Sequence, residues 1–273
     1  MKKERADILL VEQGLFESRE KAKRAIMAGQ VLADGHRIDK AGMKIAADSV
    51  LSMKGKPMPY VSRGGLKLEK ALREFNITLD DRVMLDIGSS TGGFTDCALQ
   101  HGIKLVYAVD VGSNQLVWKL RQNPKVVVME KTNFRYCTRD DFQVKTPDFA
   151  SVDVSFISLK HILPVMHDVL SQEAEAAVLV KPQFEAGREQ VGRNGLVKDP
   201  AIHHQVLVQT AALAREAGFC VTGASSSPIR GGSGNIEFLL HLIKTTASCP
   251  DEPDFKEVVT LAHESDPAGA ESR

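Results

Sequence analysis

The sequence predicts an α/β fold: a doubly wound, mostly parallel sheet of seven strands whose last strand is antiparallel, preceded by a small N-terminal α+β domain. Three observations carry this expectation. From residue 83 onward, short apolar runs alternate with longer segments of helical periodicity, the pattern of a parallel sheet covered by helices on both faces. The first of those runs, Val83 to Ile87, passes directly into a glycine-rich turn and then a helix. Ahead of it, Lys54-Gly55-Lys56-Pro57-Met58-Pro59 has the composition of a linker and sets apart a basic segment with its own helix and hairpin signals.

In order, the first 60 residues read as a compact helix-helix-strand unit. Ile8 to Val11 form a short apolar helix ending near Gly14. Ser18 can cap a second helix, with Lys21 in the third helical position and Ala22, Ala25 and Ile26 on one face. Gly29 ends it. Val31-Leu32-Ala33 and His36-Arg37-Ile38 flank Asp34-Gly35, a hairpin turn, and Val50 to Met53 supply a closing strand. A linker is expected over about 54–62 and a helix over Leu66 to Phe75. The larger domain, 63–247, then holds strands at 83–87, 105–110, 126–130, 149–154, 176–181, 219–225 and 236–243, with helices at 93–101, 114–121, 158–170 and 200–217. The last two strands have no long helix between them and can pair as a hairpin. Residues 248–273, rich in Pro, Asp and Glu, read as an acidic tail that is mostly exposed and mobile.

The 273 residues suffice for one large and one small domain. Lys+Arg and Asp+Glu balance at 35 each, but unevenly along the chain: residues 1–75 carry net +6 and residues 249–273 net −5. The basic end is where a polyanion would bind. Cys97, Cys137, Cys220 and Cys249 form no C-x-x-C, and their wide spacing suggests neither a zinc site nor a disulfide framework, as suits a reducing cytoplasm. His161, His203 and His204 make no ligand set, so no metal is expected. The N-terminus lacks the apolar core of a signal peptide, and no apolar run approaches the ~18 residues of a membrane span.

Chemistry concentrates at the strand ends, where ligands of doubly wound sheets bind. Asp86, Gly88, Ser89, Ser90, Gly92, Gly93 and Phe94 belong to the first turn, and Asp110 ends the next strand, where a carboxylate suits the hydroxyls of a ribose. A dinucleotide fingerprint would need glycine where Ser90 stands. Asp86-x-Gly88-x-x-x-Gly92-Gly93 instead resembles the methyl-donor loop of class I S-adenosylmethionine methyltransferases. Asp153 and Lys181 close two later strands, and Glu237 opens the last. An antiparallel last strand begins where its parallel neighbours end, so the three can converge. Lys67 lies near the start of its helix, where the dipole disfavours a cation.

Two resemblances extend this reading. Arg5-Ala6-Asp7-x-x-Leu10, Gly14-Leu15-x-x-Ser18-Arg19-x-x-Ala22, Ile26-x-x-Gly29-x-Val31 and Asp34-Gly35 resemble the alpha-L (S4-like) RNA-binding motif, with Ala6 in place of the usual Leu. That resemblance makes Arg5, Arg19, Lys23, Arg24 and Arg37 candidates for phosphate contacts, and Arg63 of Ser62-Arg63-Gly64-Gly65 joins them. The set Lys67, Asp153, Lys181 and Glu237 resembles the Lys-Asp-Lys-Glu tetrad of FtsJ-type ribose 2′-O-methyltransferases. Together with Asp153-Val154-Ser155-Phe156, Lys181-Pro182-Gln183-Phe184-Glu185 and Gly234-Asn235-Ile236-Glu237, the joined order is similar to the TlyA family over nearly the whole chain except the acidic tail. The family implies a class I (Rossmann-like) methyltransferase fold, S-adenosylmethionine as cofactor, and cytidine 2′-O-methylation of ribosomal RNA within ribosomal subunits in the cytoplasm. Lys181 would take the central role beside the hydroxyl, Asp153 would orient it, and Lys67 and Glu237 would position the ribose. Either lysine can be the base. Phe156 and Phe184 read as core packing, or as a stacking surface for a flipped base. Arg188, Arg193 and Lys198 mark a polar loop that would face either RNA or solvent. Competing readings are a membrane-active hemolysin, as some family members are named; an RNA-binding protein with an inactive methyltransferase domain; and a nicotinamide oxidoreductase, weakened by Ser90.

Overall fold

The computed structural model describes residues 3–54 and 58–265. Linker residues 55–57 and the end of the acidic tail, 266–273, lie outside the described residues. The chain forms two compact units, Met1–Pro59 and Tyr60–Arg273.

The first unit contains β1 (Lys3–Arg5), α1 (Ala6–Glu12), α2 (Arg19–Met27), β2 (Val31–Ala33), β3 (His36–Arg37), β4 (Lys44–Ala46) and β5 (Leu51–Met53). Ser18 caps α2, its hydroxyl accepting from the Lys21 amide. The antiparallel order is β3-β2-β5, and β1 pairs separately with β4. Leu9, Leu10, Ala22, Ile26, Val31 and Ile38 fill the core. Beside that core Asp7 is fully buried between Arg5 and Arg19, at 2.9 and 3.0 Å. Hydrogen bonds from Arg5 and then Arg19 outweigh burial and hold the Asp7 carboxyl at about 2.

The second unit runs α3 (Gly64–Glu74), β6 (Val83–Ile87), α4 (Gly93–Gln100), β7 (Leu105–Val109), α5 (Trp118–Arg121), β8 (Val126–Met129), β9 (Phe149–Val152), α6 (Leu163–Val169), β10 (Glu175–Val180), α7 (Pro182–Glu185), α8 (Pro200–Glu216), β11 (Phe219–Ser226), β12 (Phe238–Lys244) and α9 (Phe255–Glu264). The sheet order is β11-β12-β10-β9-β6-β7-β8. β12 is antiparallel to both of its neighbours, and the pairs from β10 to β8 are parallel. Alternation along β6 divides the core. Val83, Leu85 and Ile87 face α6 and α8, with Met166, Leu207 and Ala211 in that layer, while Met84 faces α3 and α4, with Leu68, Leu72 and Ala98. Each valine, leucine, isoleucine and methionine among them contributes roughly 1.5–3 kcal/mol by leaving water.

Three expectations are corrected. The tail is not wholly exposed: Asp254 caps α9 by accepting from the Lys256 and Glu257 amides, and α9 buries Phe255, Val259 and Ala262 in the α8-side core. Their i, i+4, i+7 spacing makes one apolar helical face, which outweighs the acidic composition around it. Cys220 and Cys249 form a disulfide, because β11 and the chain leading into α9 bring their Cα atoms within 5.3 Å. The helix expected at 114–121 is a single turn, α5, preceded by a loop whose amides at Asn114, Gln115 and Leu116 all donate to Glu130. No helix among the described residues is long and apolar enough to cross a membrane.

Candidate active site

The glycine turn is shaped by contacts its residues make at once with strand and helix. Gly88 has φ +87°, and a Cβ there would lie 2.6 Å from the Asp153 carbonyl oxygen, so the β6 turn and the end of β9 touch backbone to backbone. At Gly93 a Cβ would run into Ser62 Oγ and approach the Gly65 nitrogen to 2.9 Å, which is how α3 and α4 pack so closely. Ser90 adopts φ +47°, and its amide donates to Asp110 Oδ2 at 2.8 Å. The Gly112 amide donates to Asp110 Oδ1 at 2.7 Å, so the carboxylate is fixed at the end of β7.

Asp110, Gly88 and Ser90 line a cavity of about 540 Å³. Thr132, Asn133 and Phe134 line it too, from the loop after β8. The sequence reading missed these three; their signal was position, the next strand end beside β7. A second cavity, of about 340 Å³, shares Gly88, Ser90, Asp153 and Ser155 with the first and holds Ser89, Gly93 and Phe94 in its wall. Ser89 Oγ is buried there with no hydrogen-bond partner among the described residues. An orphaned hydroxyl, a close-approach glycine and a fixed carboxylate at a strand end suit a nucleoside-bearing ligand of S-adenosylmethionine type. Gly92 enters the turn as the residue before α4 and Asp86 lies beneath it. Asp86 lines neither cavity, contrary to its expected place among the ligand contacts. It is fully buried, accepting from Thr95 Oγ1 at 2.6 Å and Ser151 Oγ at 3.0 Å, and burial pushes its carboxyl up to about 6. Its role is to join α4 and β9 under the turn.

Lys67, Asp153, Lys181 and Glu237 meet at the second cavity. Lys67, in the first turn of α3, is buried; its Nζ lies 3.2 Å from Asp153 Oδ2 and 2.8 Å from Glu237 Oε2. Lys181 Nζ lies 2.5 Å from Asp153 Oδ1 and donates to Ser155 Oγ at 2.9 Å. The four form one ionic series, Lys181–Asp153–Lys67–Glu237. The sequence reading gave Ser155 no role, although it follows Asp153 by two residues. Burial alone would lower the Lys67 pKa, but Asp153 and Glu237 outweigh it and the net shift is upward. Lys67 is therefore a fixed cation in this arrangement.

Phe156 is not core: it is 91% exposed at φ +62°, its ring 5.1 Å from that of Phe184. The loop carrying it is braced by Glu185, which accepts from Ser158 Oγ at 2.7 Å and the Leu159 amide at 2.9 Å. Burial raises the Glu185 pKa. Arg63, exposed at the start of α3, lines the second cavity. In the first unit the basic candidates are unequally placed. Arg5 and Arg19 grip Asp7, Lys23 pairs with Glu20 at 2.8 Å, Arg37 pairs with Asp39 at 2.8 Å, and Arg24 is exposed on α2. Arg193 and Lys198 line a separate hollow of about 420 Å³.

A model of the FtsJ-like methyltransferase family matches residues 60–244, and a model of the S4 domain matches residues 4–51. The chain is 61% identical over 241 residues to the proposed rRNA methyltransferase YqxC of Bacillus subtilis, covering 88% of this chain and 86% of that protein. It is 41% identical over 239 residues to the 16S/23S rRNA (cytidine-2′-O)-methyltransferase TlyA of Mycobacterium tuberculosis, covering 87% of this chain and 89% of that one. A solved structure of a proposed hemolysin from Streptococcus thermophilus superposes with a TM-score of 0.79 at 55% identity, covering 100% of both chains. By these matches along both of its units, the chain belongs to the TlyA family of FtsJ-like methyltransferases, which join that domain to an S4 domain.

Proposed function

We propose that this protein methylates the ribose 2′-hydroxyl of cytidine in ribosomal RNA, using S-adenosylmethionine, on ribosomal subunits in the cytoplasm. The observation that carries the reading is the series Lys181–Asp153–Lys67–Glu237, set at the strand ends beside the glycine turn.

When bound, the cofactor supplies an electrophilic methyl group on a sulfonium. Asp110 would hold its ribose hydroxyls; the carboxylate has about four acceptor sites, and two are taken by the Ser90 and Gly112 amides. Gly88, Ser89, Ser90, Gly92, Gly93 and Phe94 would enclose the remainder, with Ser89 Oγ gaining a partner. On the RNA side, Lys181 Nζ would donate to the 2′-oxygen as negative charge develops on it; that oxygen takes the methyl as the methyl–sulfur bond breaks and the neutral thioether leaves, and the hydroxyl proton passes to solvent. Asp153 and Ser155 fix the direction of that Nζ. Lys67, held protonated between two carboxylates, balances their charge instead of accepting a proton, which leaves the central role to Lys181. Glu237 anchors Lys67 and positions the ribose. Phe156, exposed beside Phe184, offers a face on which an extruded cytosine can stack. The S4 unit, through Arg5, Arg19, Lys23, Arg24 and Arg37, and Arg63 in the methyltransferase unit, contact phosphates and bring the target nucleotide to the site.

The test is tritiated methyl transfer from S-adenosylmethionine to separated small and large ribosomal subunits that lack the modification, wild type beside Lys181→Ala. Label on a cytidine 2′-O that vanishes in the variant supports the proposal and names the subunit. No label on either subunit, with cofactor binding intact, refutes it.

A further inference from the structure

The FtsJ-like match ends at residue 244, yet α9, which lies beyond it, is connected to the loop that carries Glu237. Near the end of α9, His263 Nε2 stands 2.9 Å from His203 Nδ1. His203, in the first turn of α8, has no exposure, and its other ring nitrogen, Nε2, is 3.0 Å from the Val197 carbonyl oxygen. A carbonyl only accepts, so His203 Nε2 bears the hydrogen. In a neutral ring Nδ1 is then an acceptor, and His263 Nε2 must donate to it. The Val197 amide continues the series, donating to Asn235 Oδ1 at 2.9 Å, and Asn235 Nδ2 donates to the Gly195 carbonyl at 2.8 Å. Asn235 is buried, and its own carbonyl accepts from the Gly231 amide at 3.0 Å. It stands two residues before Glu237. A connected set of hydrogen bonds thus links the C-terminal helix, through α8 and the 195–197 loop, to the active-site loop, with Asn235 accepting from both the Val197 and the Gly231 amides.

We propose that His263 and His203 are positioning residues for methyl transfer, holding Asn235 and thereby keeping Glu237 against Lys67. This rests on the 2′-O-methylation reading and extends the working site to a helix outside the matched domain. Burial suits the role because it favours the neutral rings the series needs; His203 titrates at about 4, with Asp199 and Arg230 acting on both rings in opposite senses.

Three full-length variants test it. His263→Gln keeps an N–H donor at the ring position, and His263→Leu keeps bulk without a donor. His263→Asn, with a donor on a shorter arm, replaces the leucine variant if that one does not fold. Methyl transfer is measured as kcat and KM separately, with calorimetry of S-adenosylmethionine and hydrogen exchange of residues 229–237. The leucine variant is expected to lose about tenfold in kcat, with KM and cofactor affinity within about twofold and faster exchange confined to 229–237. The glutamine variant is expected to stay within about twofold of wild type. The proposal is overturned if glutamine and leucine behave alike, or if leucine lowers thermal stability while kcat and 229–237 exchange stay unchanged. If wild type transfers no methyl but the leucine variant still loosens 229–237 and glutamine does not, the methylation reading fails while the connection from α9 to the loop stands.

Discussion

Asp7 and Asp153 are each a carboxylate set between two cations, and they serve opposite ends. Asp7 is closed. Arg5 donates to both of its oxygens, at 2.9 and 3.1 Å, and Arg19 adds two bonds to Oδ2, at 3.0 and 3.3 Å. Asp153 is open: its side chain is 18% exposed at a cavity wall, and its partners are lysines. A guanidinium is a planar fork that saturates a carboxylate, whereas an ammonium is a point donor with three separate N–H groups. Among the described residues Lys181 directs two of these at Asp153 and Ser155, which leaves its third for a substrate oxygen. On the function proposed above, the same charge pattern is a clasp when built from arginine and a working site when built from lysine.

The comparison can be broken most severely at Lys181. Lys181→Ala should lower the methyl-transfer rate by about 10³-fold, with cofactor affinity within about twofold by calorimetry. Lys181→Arg should restore little of it, staying at least about 10²-fold below wild type, because a fork would close on Asp153 as Arg5 closes on Asp7. An arginine variant near wild-type rate would refute the distinction. Asp153→Asn should cost about 10²-fold in rate by removing the charge that aligns both lysines, measured in the same assay. Asp7→Asn should leave cofactor affinity unchanged but destabilise the S4 unit by about 2 kcal/mol in urea unfolding, less than a fully enclosed pair because both guanidinium groups reach water. The Asp7 carboxyl has a folded pKa of about 2 against 3.8 ordinarily, so its contribution is present above 3.8 and is lost as pH falls toward 2. The wild-type unit should therefore lose stability in that window, and the asparagine variant should lose less. The smallest effect is expected at exposed Arg24. Arg24→Ala should weaken RNA binding about threefold and reduce the salt dependence by about one ion, without altering base preference.

Much of this was legible before any coordinates, for identifiable reasons. The alternation of Val83, Leu85 and Ile87 with Met84 marks a strand buried on both faces, and Ser18 and Asp34-Gly35 mark a cap and a turn by local chemistry alone. The convergence of Lys181 with Glu237 follows from strand direction. What escaped depended on long-range placement. β1 and β4 are three residues each, too short for periodicity to register. The Cys220–Cys249 bond spans 29 residues, and spacing says nothing about which distant thiols meet. Phe156 reads as core by residue type, yet its backbone conformation turns it outward. Asp86 reads as a ligand contact by motif position, yet strand alternation sends its side chain under the turn. In α9 the apolar spacing was present but was masked by the acidic residues between.

The register of β10 with β12 has a consequence for how this protein can vary. Val180 lies opposite Phe238, so Lys181 and Glu237 are the next residues outward on each strand. Between them runs more than fifty residues of chain, including the polar loop around Arg193. Within it, the short stretch 188–191 can lengthen, shorten or accept a grafted module without moving either charge, because the bonds that hold Asn235 start at 195–197 and the rest of the segment is packed as α8 and β11. A single residue added within either strand would instead turn every later side chain to the opposite face and separate the pair. Insertions tolerated by function should therefore cluster in loop positions 188–191, and a library of random insertions selected for methyl transfer should be empty across 175–180, 195–197 and 238–244.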